Sequence, residues 1–160
     1  MNLEAIGELL GNKIIDFFKL HWGSPEMVVS SGIYDCSSLD GFAVIDKEDK
    51  IIGLITYIIR NNECEIISVD STEEGRGLGS LLLQEVENLA IKKNCNLVKL
   101  ITTNDNLLAL KFYQERGFIL SQIFIDAVKK ARKFKPEIPL IGNDGIPIRD
   151  EIELTKIMRV

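Results

Sequence analysis

Residues 63–70 (ECEIISVD) form an apolar run that passes into a glycine-studded turn and then into a leucine-rich amphipathic stretch. That order predicts strand, loop and helix. Gly75, Gly77 and Gly79 alternate just ahead of Leu81, Leu82, Leu83 and Val86, so amides that no side chain shields sit where the helix begins. The unpaired N–H groups of a first helical turn and the positive end of the helix dipole favour an anion. Glycine lets the backbone approach that anion closely and adopt positive φ. A chain built around this stretch is expected to be an α/β protein that binds phosphate at a strand-to-helix turn.

Spacing separates the loops that could do this. A P-loop ends in Gly-Lys-Ser/Thr, whereas Gly79-Ser80 follows Leu78 here and the lysine is missing. A dinucleotide fingerprint needs a third glycine three residues after the second and an acidic residue at the end of the next strand. Leu82 stands at the first of these positions, and the next apolar strand ends in Thr102-Thr103-Asn104. What remains is Arg76-Gly77-Leu78-Gly79 ahead of an aliphatic helix.

Composition sets further bounds. A length of 160 residues with 46% hydrophobic content predicts one globular domain, residues 1–160, with a sizeable core. The net charge of −5 argues against nucleic acid as a partner, because such binding draws on a basic surface. No apolar run is long enough to span a membrane and the N-terminus does not resemble a signal peptide, so a cytoplasmic protein is expected. Cys36, Cys64 and Cys95 are widely spaced and His21 is the single histidine, so neither a disulfide framework nor a metal centre is expected.

Along the chain, apolar residues at helical spacing over residues 3–20 predict a helix, with Gly11-Asn12 as a break and His21-Trp22-Gly23 as its end. A short extended segment over residues 27–31 and a polar loop through Ser38 follow. Residues 41–45 and 51–59 read as a hairpin, and Asn61-Asn62 turns the chain into the strand from Glu63. The helix over residues 78–93 is expected to bury Leu82, Val86, Leu89 and Ala90, with Asn94 closing it. A helical crossover then places a strand over residues 97–101 parallel to the Glu63 strand. Asn104 or Asn106 caps a helix over residues 107–116, Gly117 ends it, and residues 118–125 form a further strand. Residues 126–134 look helical and carry basic Lys129, Lys130, Arg132 and Lys133, read as a solvated face. The remainder is expected to return, extended, to the sheet.

The turn of residues 74–79 resembles the pyrophosphate loop of the GNAT acetyltransferase superfamily, Gln/Arg-x-x-Gly-x-Gly/Ala, with Glu74 in place of the usual Gln or Arg. A second signature of that family is similar to Asn106-x-x-Ala109-x-x-Phe112-Tyr113-x-x-x-Gly117-Phe118, and both occur in the family's order with one strand between them. The resemblance covers residues 41–125. It implies a mixed α/β (α+β) fold with antiparallel N-terminal strands, a splayed parallel pair in the middle of the sheet and flanking helices. It also implies acetyl-CoA as the coenzyme and a primary amine of a small molecule or peptide as the acceptor. By this resemblance Ile67, Ser68 and Val69 contact the pantetheine arm through backbone, with the Val69 N–H at the thioester carbonyl. Gly75, Arg76, Gly77, Leu78, Gly79 and Ser80 take the pyrophosphate. Asn106, Ala109 and Phe112 meet the coenzyme from the second helix, Tyr113 protonates the leaving sulfur, and Glu63 or Glu65 accepts the amine's proton, directly or through water.

Two other classes compete. A coenzyme A sensor or interaction module on the same fold needs no proton donor beside the sulfur, so Tyr113 favours the enzyme. A nucleotide-linked oxidoreductase would bind NAD instead. A homodimer stays open, and the acceptor is not written in the sequence.

Overall fold

The computed structural model describes residues 2–7, 11–72 and 77–158. The sheet begins earlier than the helical spacing of residues 3–20 suggests. Asn2–Ala5 is a strand, β1, that pairs antiparallel with β4 (Asp40–Ile45), Leu3 lying opposite Val44. Ile6 extends the match by donating its N–H to the Gly41 carbonyl at 2.9 Å. Pairing to a partner far along the chain outweighs local helical spacing here, so the expected helix is corrected at its start. Helix α1 runs from Gly11 to Trp22, and the glycine read as a break is its first residue; Leu9 and Leu10 lie outside the described residues. Ile14, Phe17 and Phe18 are its buried face. Gly23, at φ +81°, ends it with an N–H bond to the Lys19 carbonyl.

The extended segment expected over residues 27–31 overlaps a strand, whereas the loop expected after it, through Ser38, is corrected. β2 (Glu26–Val29) and β3 (Gly32–Asp35) form a small separate hairpin, followed by a 3-10 turn over Cys36–Ser38 whose cap is the Asp35 carboxylate, bonded to the Ser37 N–H.

By its contacts the chain divides into two compact units. The first comprises Met1–Met27, Tyr34–Val98 and Met158–Val160. In it β1, β4, β5 (Ile51–Arg60) and β6 (Glu63–Ser71) pair antiparallel in that order, the β4–β5–β6 part as the two hairpin signals predict. Asn61 and Asn62 both adopt positive φ in the two-residue turn between β5 and β6. Asp46 organises the other turn, its Oδ1 accepting from the N–H groups of Glu48 and Lys50. Helix α2 (Leu78–Lys92) packs on β4, β5 and β6 and buries Leu78, Leu82, Leu83, Val86, Glu87 and Ala90. Leu89, expected in the core, is half-buried, and Leu83 takes its place. A side chain at Gly53 would come 3.2 Å from Leu82 Cδ1, so the missing Cβ lets the helix sit close to β5. Asn94, at φ +59°, closes α2, and β7 (Leu97–Thr103) begins parallel beside β6.

The second unit comprises Val28–Ile33 and Lys99–Ile157. Its strands run in the order β7, β9 (Glu151–Ile157), β8 (Ile119–Phe124), with β8 and β9 antiparallel and Leu120 opposite Leu154. The return of the tail to the sheet is thus as expected. Helix α3 (Leu107–Glu115) packs on β8. The short helix α4 (Ala127–Ala131) leads into irregular chain that side chains hold in place. Arg132, read as part of a solvated basic face, donates instead to the carbonyls of Ile138, Pro139 and Ile148. Asn104 accepts from the N–H groups of Arg149 and Asp150 and donates to the Pro147 carbonyl.

Glu151, 3% exposed, ties the β2–β3 tip to this unit by accepting from the Ser30 N–H and hydroxyl at 2.7 and 2.5 Å. Burial pushes its carboxyl pKa up, although the two Ser30 bonds pull it down. A raised folded-state pKa contributes stability that is present below the unfolded value and is lost as pH rises through the folded one. Glu151→Gln keeps an oxygen for Ser30 and removes the ionisation. Its urea midpoint should therefore gain on the parent protein as pH rises from about 4 to about 7. A difference that stays constant across that range would show that the carboxyl titrates as it does in water.

Candidate active site

β6 is not a regular strand. Tyr57 of β5 lies opposite Ile66 while Thr56 lies opposite Ser68, so Ile67 is an extra, bulged residue. The bulge shifts the phase of the strand. Arg60, Ile58, Thr56 and Leu54 alternate on one face of β5, and their partners are Glu63, Glu65, Ser68 and Asp70. Four polar side chains therefore share one face, although plain alternation from Glu63 would have put Ser68 and Asp70 on the other.

The line is bonded along its length. Glu65 is 2% exposed and accepts from Arg60 Nη2 at 3.1 Å, and the same nitrogen donates to the Tyr34 hydroxyl at 2.9 Å. These partners hold the guanidinium in its charged form. Ser68 and Thr56 share a 2.5 Å hydroxyl–hydroxyl bond, both buried. Asp70 accepts from the Trp22 indole N–H at 3.0 Å and from the Ser71 N–H at 2.8 Å, and His21 Nδ1 lies 3.9 Å from its carboxylate. Glu63, at the start of the strand, is half-buried. Val69, paired with Ile55, lies on the opposite face, towards α2.

Beyond β6 the chain turns into α2 through Gly77, the helix N-cap, at φ +72° and ψ +15°. A side chain would meet no atom there, but that backbone conformation strains any residue with a Cβ. No side chain caps the helix, and the Gly77 carbonyl accepts the first helical bond, from Leu81, at 3.0 Å. Leu78, Gly79 and Ser80 form the first turn, where amides have no intrahelical acceptor. Gly75 and Arg76, and with them Glu74, lie outside the described residues.

The other predicted residues belong to the second unit. Asn106 is the N-cap of α3, its Oδ1 accepting from the Ala109 N–H at 3.2 Å, while its Nδ2 donates to Thr102 Oγ1. It thus precedes the helix, and Asn104 serves the tail instead. Phe112 is half-buried, with the Arg116 guanidinium 3.7 Å from its ring centroid. Tyr113 is 4% exposed and held edge-on between Phe112 and Phe118, with centroids at 5.0 and 5.4 Å. Burial pushes its phenol pKa up, so the proton stays on the oxygen. Its hydroxyl has no hydrogen-bond partner among the described residues.

Cys36, Cys64 and Cys95 are buried free thiols, and burial raises the pKa of Cys64 to about 12, which keeps it protonated. Among the described residues no group of three or more His, Cys, Asp or Glu could hold a metal ion. None of their helices is long and apolar enough to cross a membrane.

The order of strand, αL glycine and helix, followed by a capped helix bearing a buried phenol, is matched by a family model for the acetyltransferase (GNAT) family over residues 10–118. The chain belongs to that family. The uncharacterized protein YxbD of Bacillus subtilis (strain 168) is 49% identical over 156 residues, 98% of this chain and 98% of its own length. The fold is shared with an IAA acetyltransferase from Bacillus cereus ATCC 14579, with a TM-score of 0.74 and 20% identity over 98% of each chain. It is shared too with a GNAT family acetyltransferase from Elizabethkingia anophelis with acetyl-CoA bound, with a TM-score of 0.67 and 21% identity over 98% of this chain and 97% of that one.

Sequence reading missed the partners of the acidic line. Arg60, Tyr34 and Thr56 reach it only through strand register and the β2–β3 hairpin, and Trp22 and Asp70 only through α1 packing. The pairing of Arg60 with Glu63 across the Asn61-Asn62 turn was the one local sign that a cation stands beside these carboxylates. Arg60→Met should remove the guanidinium bond from the buried Glu65 and destabilise the protein by about 1–3 kcal/mol in urea unfolding. The double variant with Glu65→Gln should recover part of that loss. Additive losses would show that the two groups are energetically uncoupled.

Proposed function

We propose that this acetyltransferase moves acetyl from acetyl-CoA to a primary amine of a small molecule or peptide, by direct attack within a ternary complex. The observation that carries the reading is Gly77, held in the left-handed region at the start of a 15-residue helix with no side-chain cap. That leaves first-turn amides for a pyrophosphate. Leu78, Gly79 and Ser80 supply them, with Gly75 and Arg76 from the preceding turn. The family model and the coenzyme-bound neighbour support acetyl-CoA as the ligand.

The remaining roles follow from chemistry. Acetyl-CoA supplies an activated thioester. The backbone of Ile67, Ser68 and Val69 pairs with the peptide-like pantetheine arm, the bulge at Ile67 turning that part of the strand out of regular pairing. The Val69 N–H donates to the thioester carbonyl as charge develops on its oxygen. Ala109 and Phe112 line the coenzyme from α3, and Asn106 holds the start of that helix. Tyr113 delivers its proton to the departing sulfur, for which a phenol kept neutral by burial is suited. Glu63, half-buried at the strand's start, or Glu65, bonded to Arg60, takes the amine's proton, directly or through water.

Tyr113→Phe should lower turnover at least roughly tenfold while coenzyme affinity stays within about twofold. Thiol release followed across a panel of amines, with calorimetric titration of coenzyme A, separates the two quantities, and unchanged turnover would remove Tyr113 from the chemistry. Gly77→Val should instead abolish coenzyme binding by straining the turn, and retained affinity would contradict the loop assignment. Coenzyme binding by the parent protein with no thiol release on any amine would favour a sensor.

A further inference from the structure

The second unit contains a cavity whose lining includes none of the residues given roles in acetyl transfer above. It has a volume of about 500 Å³, within the range of pockets that take small molecules. One wall is the tip of the β2–β3 hairpin, with Val28 and Ile33; the other is the end of β8 and helix α4, with Phe124, Ala131 and Phe134. Ile33, Ile125 and Phe134 around it are 54%, 69% and 64% exposed, so large apolar side chains stand in water there without cover.

Among the described lining residues the single charged group is Lys130, and it makes no ion pair with any described residue. The nearby carboxylate of Glu151 is buried beneath Ser30, whose N–H and hydroxyl it already accepts. The walls are held in advance of any ligand. Ser30 is anchored to Glu151, α4 donates the Val128 N–H to the Arg149 carbonyl, and Arg132 fastens the end of α4 to three tail carbonyls. A preformed apolar cavity with one unpaired ammonium on its lining is complementary to an apolar molecule carrying a single negative charge. A lone ammonium with no guanidinium beside it suits a carboxylate better than a dianionic phosphate.

We propose that this cavity binds a small apolar carboxylate, with the hydrocarbon body between the hairpin tip and α4 and the carboxylate on Lys130. The ligand is either the acetyl acceptor itself, as an apolar amino acid, or a carboxylate that does not react.

The test is calorimetric titration of the full chain with octanoate, octan-1-ol and octylamine in the absence of coenzyme, so that its result is independent of acetyl transfer. Octanoate should bind at least about tenfold more tightly than the alcohol or the amine. Lys130→Gln should remove that preference, and Lys130→Glu should transfer it to octylamine, with circular dichroism and melting temperature unchanged because the side chain is exposed. Equal binding of octanoate and octylamine, an octanoate affinity untouched by Lys130→Gln, or no uptake by a protein that light scattering shows to be a stable dimer would each overturn the proposal. A second arm identifies the source once octanoate binds. Thiol release from acetyl-CoA with L-phenylalanine, competitively inhibited by octanoate, marks the acceptor; octanoate binding without such competition marks a non-reacting ligand.

Discussion

The pairing of β5 with β6, and the single residue by which it falls out of step, fixes what the first unit can do. Before Ile67 the strand presents Glu63 and Glu65 to the same side as Arg60 and Ile58; after it, Ser68 and Asp70 appear on that side as well. Without the extra residue, half of these polar groups would point to the face covered by α2, into a core of Leu78, Leu82 and Val86. An unpaired polar group there would cost on the order of 1–3 kcal/mol. The bulge avoids that and gathers the polar groups where partners exist: a guanidinium, itself bonded to the Tyr34 phenol, for Glu65, a hydroxyl for Ser68, an indole for Asp70.

The same strand leads on to α2 through Gly77, whose part is played by backbone alone. Gly77 has no contact to make with a Cβ; its importance lies in the sign of its φ, which sends the chain into α2 with bare amides at the helix start. In the second unit the reverse holds. Tyr113 derives its character from enclosure, with aromatic rings on two sides and no protein partner for its hydroxyl among the described residues.

Where a single local signal determines structure, the sequence was sufficient. Paired asparagines at positive φ made the β5–β6 turn, Asn106 capped α3, Gly117 ended it at φ +94°, and the loop glycines preceded a helix that starts at Leu78. Where structure is set by a distant partner, it was not. β1 exists because β4 offers an edge, β3 lies in a stretch that ends in polar residues and reads as loop, and the bulge at Ile67 is invisible in an unbroken run of strand-forming residues. The acidic positions of the candidate site were therefore legible, whereas the groups that neutralise and orient them were not. Leu83 taking the place of Leu89 in the core has the same origin, since a helix is rotated by what it lies on.

The stretch after α4 carries a consequence of its own. Between Arg132 and Asp150 almost no ladder of strand pairing restrains the chain, yet two side chains grip six of its backbone groups: Arg132 takes three carbonyls, and Asn104 takes one carbonyl and two amides. Such an arc behaves like a tent on two poles. Its apex at Asn143 and Asp144 is closed by its own backbone bonds, from the Gly142 N–H to the Ile146 carbonyl and from the Gly145 N–H to the Gly142 carbonyl, so the poles set where that closed turn stands rather than whether it forms.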